Sequence, residues 1–208
     1  TRSSAASDVY KRQSLTFGNS LITFGGVAGL VDISIGSDGG VVDAIDDVTP
    51  TAFEEANAVS GTYNDIGDDA SKTGITLSAA LPYLGTFKTK YIPKADGNKP
   101  ADKAASGDTN AAVGSMASYS LVTNMADLPI VGGYLDGAKL TLGYLDHDQS
   151  TVDGADDAMD ATAALNYGIG QFSAGIQYKF HNEGSTVTSG AESAKAIEYK
   201  DMVIGLAY

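Results

Sequence analysis

Apolar and polar side chains alternate strictly along most of this chain. The clearest segment is QFSAGIQYKFHN, with apolar positions Phe172, Ala174, Ile176, Tyr178 and Phe180 and intervening positions Ser173, Gly175, Gln177, Lys179 and His181. Successive side chains of a strand point to opposite faces, so this period of two predicts a strand with one apolar and one polar face. The same pattern recurs in GLVDISIG, TGITLSAALP, GTFKTKYIPK, SMASYSLVT, AKLTLGYLDH, DATAALNYG and AIEYKDMVIGLAY, and more weakly in SLTFGNSLITFG. The pattern therefore predicts an all-β fold of about nine strands.

The connections between these strands alternate in length. The short ones contain Gly or Pro or carry little charge (25–29, 82–85, 125–137 and 168–171), and the long polar ones are 37–72, 95–113, 148–158 and 182–195. Bacterial outer-membrane barrels combine short turns at one end with long loops at the other, whereas a soluble sandwich has no reason to do so. The spacing therefore favours a transmembrane antiparallel β-barrel with a wet interior, and a soluble β-sandwich or solenoid is the alternative.

Two further features agree with a barrel. Several segments have the length of a tilted transmembrane strand, about 9–11 residues. Tyrosines, whose rings suit the membrane–water interface, recur toward the ends of the apolar faces at Tyr91, Tyr144, Tyr167, Tyr178 and Tyr208.

Composition narrows the chemistry. The 208 residues carry a formal charge of −13, with 26 acidic and 13 basic side chains and no cysteine. Such an acidic chain would be repelled by phosphate backbones, so no nucleic-acid partner is predicted. Disulfides and thiolate metal sites are excluded. Neither a phosphate-binding Gly-Lys-Ser/Thr loop nor a nucleophile–His–acid spacing is found, so we predict no enzymatic activity and no cofactor.

Residues 37–72 form the most distinctive connection. They contain nine acidic side chains and one basic side chain, Lys72. The spacing of Thr51 and Glu54 matches a capping box and predicts a short helix beginning near Ala52. A connection of this length in a compact domain is usually functional or disordered.

The stretch AIDDVTPTAFEEA within this loop is similar to the loop of marine alphaproteobacterial porins, and the order of elements from Ser14 to Tyr208 resembles a Gram-negative general diffusion porin. The resemblance implies a homotrimer of barrels of about sixteen strands in the cell outer membrane. It also implies that residues 37–72 are the third extracellular loop, which folds inward and narrows a channel for small hydrophilic solutes and ions. Because nine is an odd number of strands, the chain is expected to be part of a larger barrel.

The resemblance further implies acidic loop residues facing a basic wall, which produces a transverse field across the constriction. The acidic candidates are Asp43, Asp46, Asp47, Glu54 and Glu55, and the basic candidates are Lys88, Lys90, Lys139 and Lys179. The usual arginine wall is missing, since residues 14–208 contain no arginine. The excess of acid predicts a mild cation preference. Two alternatives remain: a solvated acidic loop without a constriction role, and a secreted or surface adhesin without a pore.

No metal site is predicted. His147 and His181 are expected to be solvated side chains at strand ends, without a partner at metal-binding spacing. The acidic cluster between Asp146 and Asp160 breaks the EF-hand spacing, so it predicts at most adventitious divalent binding.

Residues 1–13 show neither alternation nor a helical stripe, yet they hold both arginines of the chain. The stretch SSAASDVYKRQ resembles the translation of a transposase adapter used in sequencing-library preparation. We therefore expect residues 1–13 to be an artefact and the native sequence to begin within a strand at about Ser14. Without them the formal charge changes from −13 to −15, because three basic residues and one acidic residue are removed.

Overall fold

The computed structural model describes residues 21–27, 31–37, 39–50, 66, 69, 72–93, 115–130, 132–147, 157–182, 184 and 198–208. The strands are β1 (Leu21–Val27), β2 (Val31–Ser37), β3 (Thr73–Leu81), β4 (Gly85–Ile92), β5 (Met116–Asn124), β6 (Ala138–His147), β7 (Ala158–Ile169), β8 (Phe172–Asn182) and β9 (Glu198–Ala207). The expected artefact at residues 1–13 and the helix predicted near Ala52 lie outside the described residues.

All nine strands form one antiparallel sheet in which each strand pairs with the next in sequence. The predicted all-β fold and its nine strands are confirmed. The sheet is not closed, because β1 and β9 are its two edges among the described residues. This up-and-down order places the four long connections at one end of the strands and the four shorter ones at the other.

Some connections differ from their predicted bounds. β1 runs to Val27, so Gly25 and Gly26 belong to the strand rather than to the predicted turn at 25–29. The pairing register shifts between Phe24 and Val27, and Gly26 takes a φ of +66° in this irregular stretch. Glycine readily adopts a positive φ, both in a strand irregularity and in a turn. The period-two pattern does not distinguish these two uses of glycine. The connection 125–137 contains two short 3₁₀ turns, Met125–Asp127 and Gly132–Tyr134.

One face of the sheet is apolar and exposed. Leu165 of β7 pairs with Ile176 of β8, which pairs with Ile204 of β9. These side chains are 44%, 43% and 65% exposed, and the same face carries exposed residues on the other strands, including Ile22, Ile35, Leu77, Tyr119, Leu142 and Tyr144. A soluble monomer rarely exposes an apolar patch of more than a few hundred Å². None of the helices among the described residues is long and apolar enough to span a membrane.

The opposite face, called the polar face below, carries the intervening residues and is partly covered by the connection between β2 and β3. A small apolar cluster lies between them, formed by Val42, Ile66, Ile92, Met116 and Leu145. The last three belong to β4, β5 and β6, where they interrupt an otherwise small or hydrophilic surface. The buried core therefore lies on the polar face, beneath the loop, because burial there removes loop and strand side chains from water together.

Candidate functional site

Residues 41–50 extend over the polar face from β4 and β5 toward β9, and we call them the crossing segment. A 3₁₀ turn at Asp43–Ile45 lies within it. Hydrogen bonds and close packing join the segment directly to residues on β6, β7, β8 and β9, and Asp69 links it to β5. Three groups of contacts hold it: one around Asp69 at its start, one made by two side-chain amides, and one ion pair.

The first group is centred on Asp69, which is fully buried. Its Oδ2 accepts a hydrogen bond from the Val41 backbone N–H at 2.7 Å and from the Ser118 hydroxyl of β5 at 2.6 Å. Longer bonds come from the Val42 N–H (3.4 Å) and the Asp43 N–H (3.3 Å). Hydrogen bonds to a carboxylate are stronger than hydrogen bonds between neutral groups. Asp69 therefore joins the start of the crossing segment to the sheet.

Lys90 of β4 supports the same anchor. Its side chain is fully buried, and Nζ donates a 2.9 Å hydrogen bond to the backbone carbonyl of Asp69. Burial of an ammonium is costly unless hydrogen-bond acceptors lie nearby, and the Asp69 carbonyl supplies one. Lys90 thus acts as a structural cation beneath the loop.

The second group consists of two side-chain amides that bind the backbone of the crossing segment. Gln177 of β8, which is fully buried, donates to the Ile45 carbonyl at 3.0 Å and accepts from the Val48 N–H at 3.2 Å. Asn166 of β7 donates to the Val48 carbonyl at 2.6 Å. An amide offers both a donor and an acceptor, so it satisfies an irregular backbone that has no strand partner.

Close approach of the segment to the sheet requires small residues on the strands. A Cβ added at Gly143 of β6 would lie 2.6 Å from Ile45 Cδ1. At Gly205 of β9 an added Cβ would lie 2.9 Å from Thr49 Cβ and 3.0 Å from the Pro50 nitrogen. Glycine is therefore needed here for space rather than for an unusual φ.

The third group contains an ion pair at Asp47, between the two residues whose backbone the amides bind. Lys179 of β8 is 2% exposed, and its Nζ lies 2.8 Å from Asp47 Oδ1, whereas the Asp47 side chain is 51% exposed. The pair joins a buried wall cation to a carboxylate that remains in contact with solvent. Such a half-exposed pair adds modestly to stability and fixes the position of both charges.

The side chains of the remaining six sequence candidates are not part of the three groups above. Lys88 and Lys139 are exposed on the polar face and line a cavity of about 230 Å³ beneath the crossing segment. Asp43 and Asp46 are partly buried in the segment. Glu54 and Glu55 lie outside the described residues. Of the predicted acid–base combinations, the structure pairs Lys179 with Asp47.

The histidine environment differs from the expected solvated one at His181. Its Nδ1 bonds to Asp160 Oδ1, and the two side chains are 28% and 6% exposed. The imidazole also lies 5.8 Å from the Tyr199 ring, centroid to centroid. Within the described ranges no group of three His, Asp or Glu side chains is arranged to hold a metal ion.

Sequence reasoning did not single out Asp69, Ser118, Gln177 or Asn166 as anchors. Asp69 was one of nine acidic residues in its loop, and Gln177 is separated by 132 positions from Ile45. A weak signal was available, because the side-chain amides of Asn166 on β7 and Gln177 on β8 stand beside small residues on the polar face. It does not identify a partner.

Comparisons with protein-family models, curated proteins and solved structures gave no match. The functional conclusion therefore depends on the geometry of the sheet and of the crossing segment.

Proposed function

We propose that this chain is part of an outer-membrane channel through which small hydrophilic solutes and ions diffuse passively. The observation that carries the proposal is the division of the sheet into an exposed apolar face and a polar face covered by the crossing segment. In a membrane barrel the apolar face contacts lipid and the polar face lines water.

The apolar face supports the lipid contact. Its exposed side chains continue from β1 to β9, and two aromatic rings meet at one end of the strands, Phe172 and Tyr208, whose ring centroids are 4.5 Å apart. In water such a surface would drive association, whereas hydrocarbon solvates it. Tyrosine at its rim suits the interfacial region.

The crossing segment supports the channel role. It lies over the polar face rather than extending from the strand ends, and it places Asp47 and Lys179 together above that face. In a barrel, a segment in this position narrows the water-filled interior. Sieving then follows from the reduced width, and the fixed charges bias which ions pass.

A continuous channel requires the edges of this sheet, β1 and β9, to be paired, because hydrocarbon leaves unpaired strand edges without hydrogen-bond partners. Our proposal therefore places the sheet in a closed barrel of about sixteen strands that assembles as a homotrimer, as the porin resemblance implies.

The proposal predicts a mild cation preference. The formal charge is −13, and two of the four candidate wall lysines, Lys90 and Lys179, are already paired with or bound to the loop. Conductance of the full-length barrel protein that we propose, in which β1 and β9 are paired, tests this point when it is measured in a planar bilayer with asymmetric KCl. We expect discrete conductance steps and a reversal potential that favours potassium. Steps with a reversal potential that favours chloride would contradict the preference, and an absence of steps would contradict the channel.

The alternative, a surface or secreted adhesin, is distinguished from a membrane channel by its solubility without detergent. A lipid-facing sheet requires detergent or bilayer to fold, because its apolar face has no other cover. An adhesin folds in buffer alone. Strand formation by far-UV circular dichroism in buffer and in detergent therefore distinguishes the two classes.

A further inference from the structure

The four wall lysines have two different environments. Lys90 and Lys179 are buried and bind the loop, at Asp69 and Asp47 respectively. Lys88 and Lys139 are exposed and have no ion pair with any described residue. Both line the cavity of about 230 Å³ beneath the crossing segment. Two basic side chains therefore face a common space that the described part of the loop does not neutralise.

The strand register explains how they reach the same cavity. Thr86, Val122 and Thr141 lie side by side on β4, β5 and β6 and form one row of its floor. Lys88 follows that row by two residues on β4, and Lys139 precedes it by two residues on β6. Because residues two apart share a face of a strand, the two lysines flank the row on opposite sides.

The remaining lining complements a negatively charged group. Hydroxyls of Thr86, Ser120 and Thr141 belong to the lining, which contains no carboxylate among the described residues. On the loop side the cavity is lined by apolar residues, Val41, Ala44, Ile45 and Val48. The nearby carboxylates of Asp69 and Asp47 are held by other donors. Apolar walls reduce the local dielectric and strengthen the attraction between ammonium groups and an anion.

We propose that this cavity binds a small oxyanion, with Lys88 and Lys139 as its charged ligands and the wall hydroxyls as additional donors. A volume of about 230 Å³ corresponds to roughly eight water molecules at about 30 Å³ each, which suits a phosphate or a small carboxylate with part of its hydration shell. The proposal extends the channel function, on which it rests for its biological setting, by naming a class of solute that the wall retains.

Binding to the detergent-solubilised full chain tests the site without requiring a pore. We would titrate inorganic phosphate in one series and acetate in another, by isothermal calorimetry with ³¹P or ¹³C line broadening as a second readout. We expect saturable binding of an oxyanion, weakened roughly ten-fold by Lys88→Met or by Lys139→Met, because each removes one charge-assisted hydrogen bond. Saturable binding of phosphate alone would show that the cavity accepts phosphate, and binding of both probes would show that it also accepts a carboxylate.

Lys200→Met is the matched control. Lys200 is exposed and ion-paired with Glu198. It pairs in register with Phe180 of the apolar row of β8, so it lies on the face of the sheet opposite the cavity. This variant should bind like the unmodified chain, and Lys88→Arg should retain binding because it retains the charge. Equal weakening by all three methionine variants, or no saturable binding of either probe by a chain with intact strands, would overturn the site. Channel conductance is measured separately, so failure of either proposal is recognised independently of the other.

Discussion

Removal of the Asp69 carboxylate should detach the start of the crossing segment from the sheet. The carboxylate accepts two short hydrogen bonds, from the Val41 N–H at 2.7 Å and the Ser118 hydroxyl at 2.6 Å, and two longer ones. Each hydrogen bond to a charged group contributes about 1.5–3 kcal/mol, so the two short bonds give about 3–6 kcal/mol. This is an upper bound, because the freed donors reach water once the segment detaches. Asp69→Ala should therefore raise the detached population by at most roughly 10²- to 10⁴-fold.

Cysteine labelling measures that population directly. The chain has no native cysteine, and Val42 is fully buried beside the anchor, so Val42→Cys provides a near-isosteric probe. When opening is fast, the rate of modification by a charged thiol reagent is proportional to the detached fraction. Asp69→Asn can keep an acceptor oxygen for both short bonds but loses the charge, and neutral hydrogen bonds are about half as strong. It should therefore raise the rate by roughly 10- to 100-fold, less than Asp69→Ala.

Asp127→Ala is the control, because it removes the same charge from an exposed position in the turn between β5 and β6. It should leave the labelling rate unchanged. The anchoring role would be refuted if Asp69→Ala labelled no faster than the parent while its strands were intact by circular dichroism. An equal increase in Asp127→Ala would also refute it, since the effect would then be one of net charge.

Three further outcomes follow from the same geometry. Gly205→Ala places a methyl group against the backbone of the crossing segment and should cost about 1–3 kcal/mol in denaturant titration, whereas Gly168→Ala, with no neighbour closer than 4.0 Å, should cost far less. Lys179→Met removes a buried wall cation and should shift the reversal potential further toward potassium, with no shift contradicting its place in the channel. Ile176→Lys should destabilise the lipid-folded protein by about 2–4 kcal/mol, whereas Ser173→Lys on the polar face should be tolerated; equal effects would argue against a lipid-facing row.

The strands could be predicted because each one carries its own local signal. In β8, Ile176 and Gln177 differ in character at adjacent positions, and the structure places them on opposite faces, exposed and buried respectively. The order of strands in the sheet could also be predicted, because strands that follow one another in sequence usually lie side by side. The bounds were less certain where glycine has more than one use, as at Gly26.

The contacts of the crossing segment could not be predicted in the same way. Asp69, Asp46 and Asp47 look alike in sequence, yet Asp69 alone of these three is fully buried. What distinguishes it is a hydroxyl on β5 and three backbone N–H groups 26–28 residues away, which no local pattern encodes. Lys90 and Lys88 likewise share one face of β4 but differ in burial, because the loop covers one of them.

The most direct test of the central claim is a single-cysteine scan along β8 from position 172 to 180 in lipid vesicles. A fluorescent label at each position would be quenched in turn by brominated lipid and by a water-soluble quencher. The account predicts a period of two, with positions 172, 174, 176, 178 and 180 quenched by lipid and the positions between them shielded from lipid. Water-accessible labels at the even-numbered positions, or a chain that folds fully in buffer without binding vesicles, would contradict it.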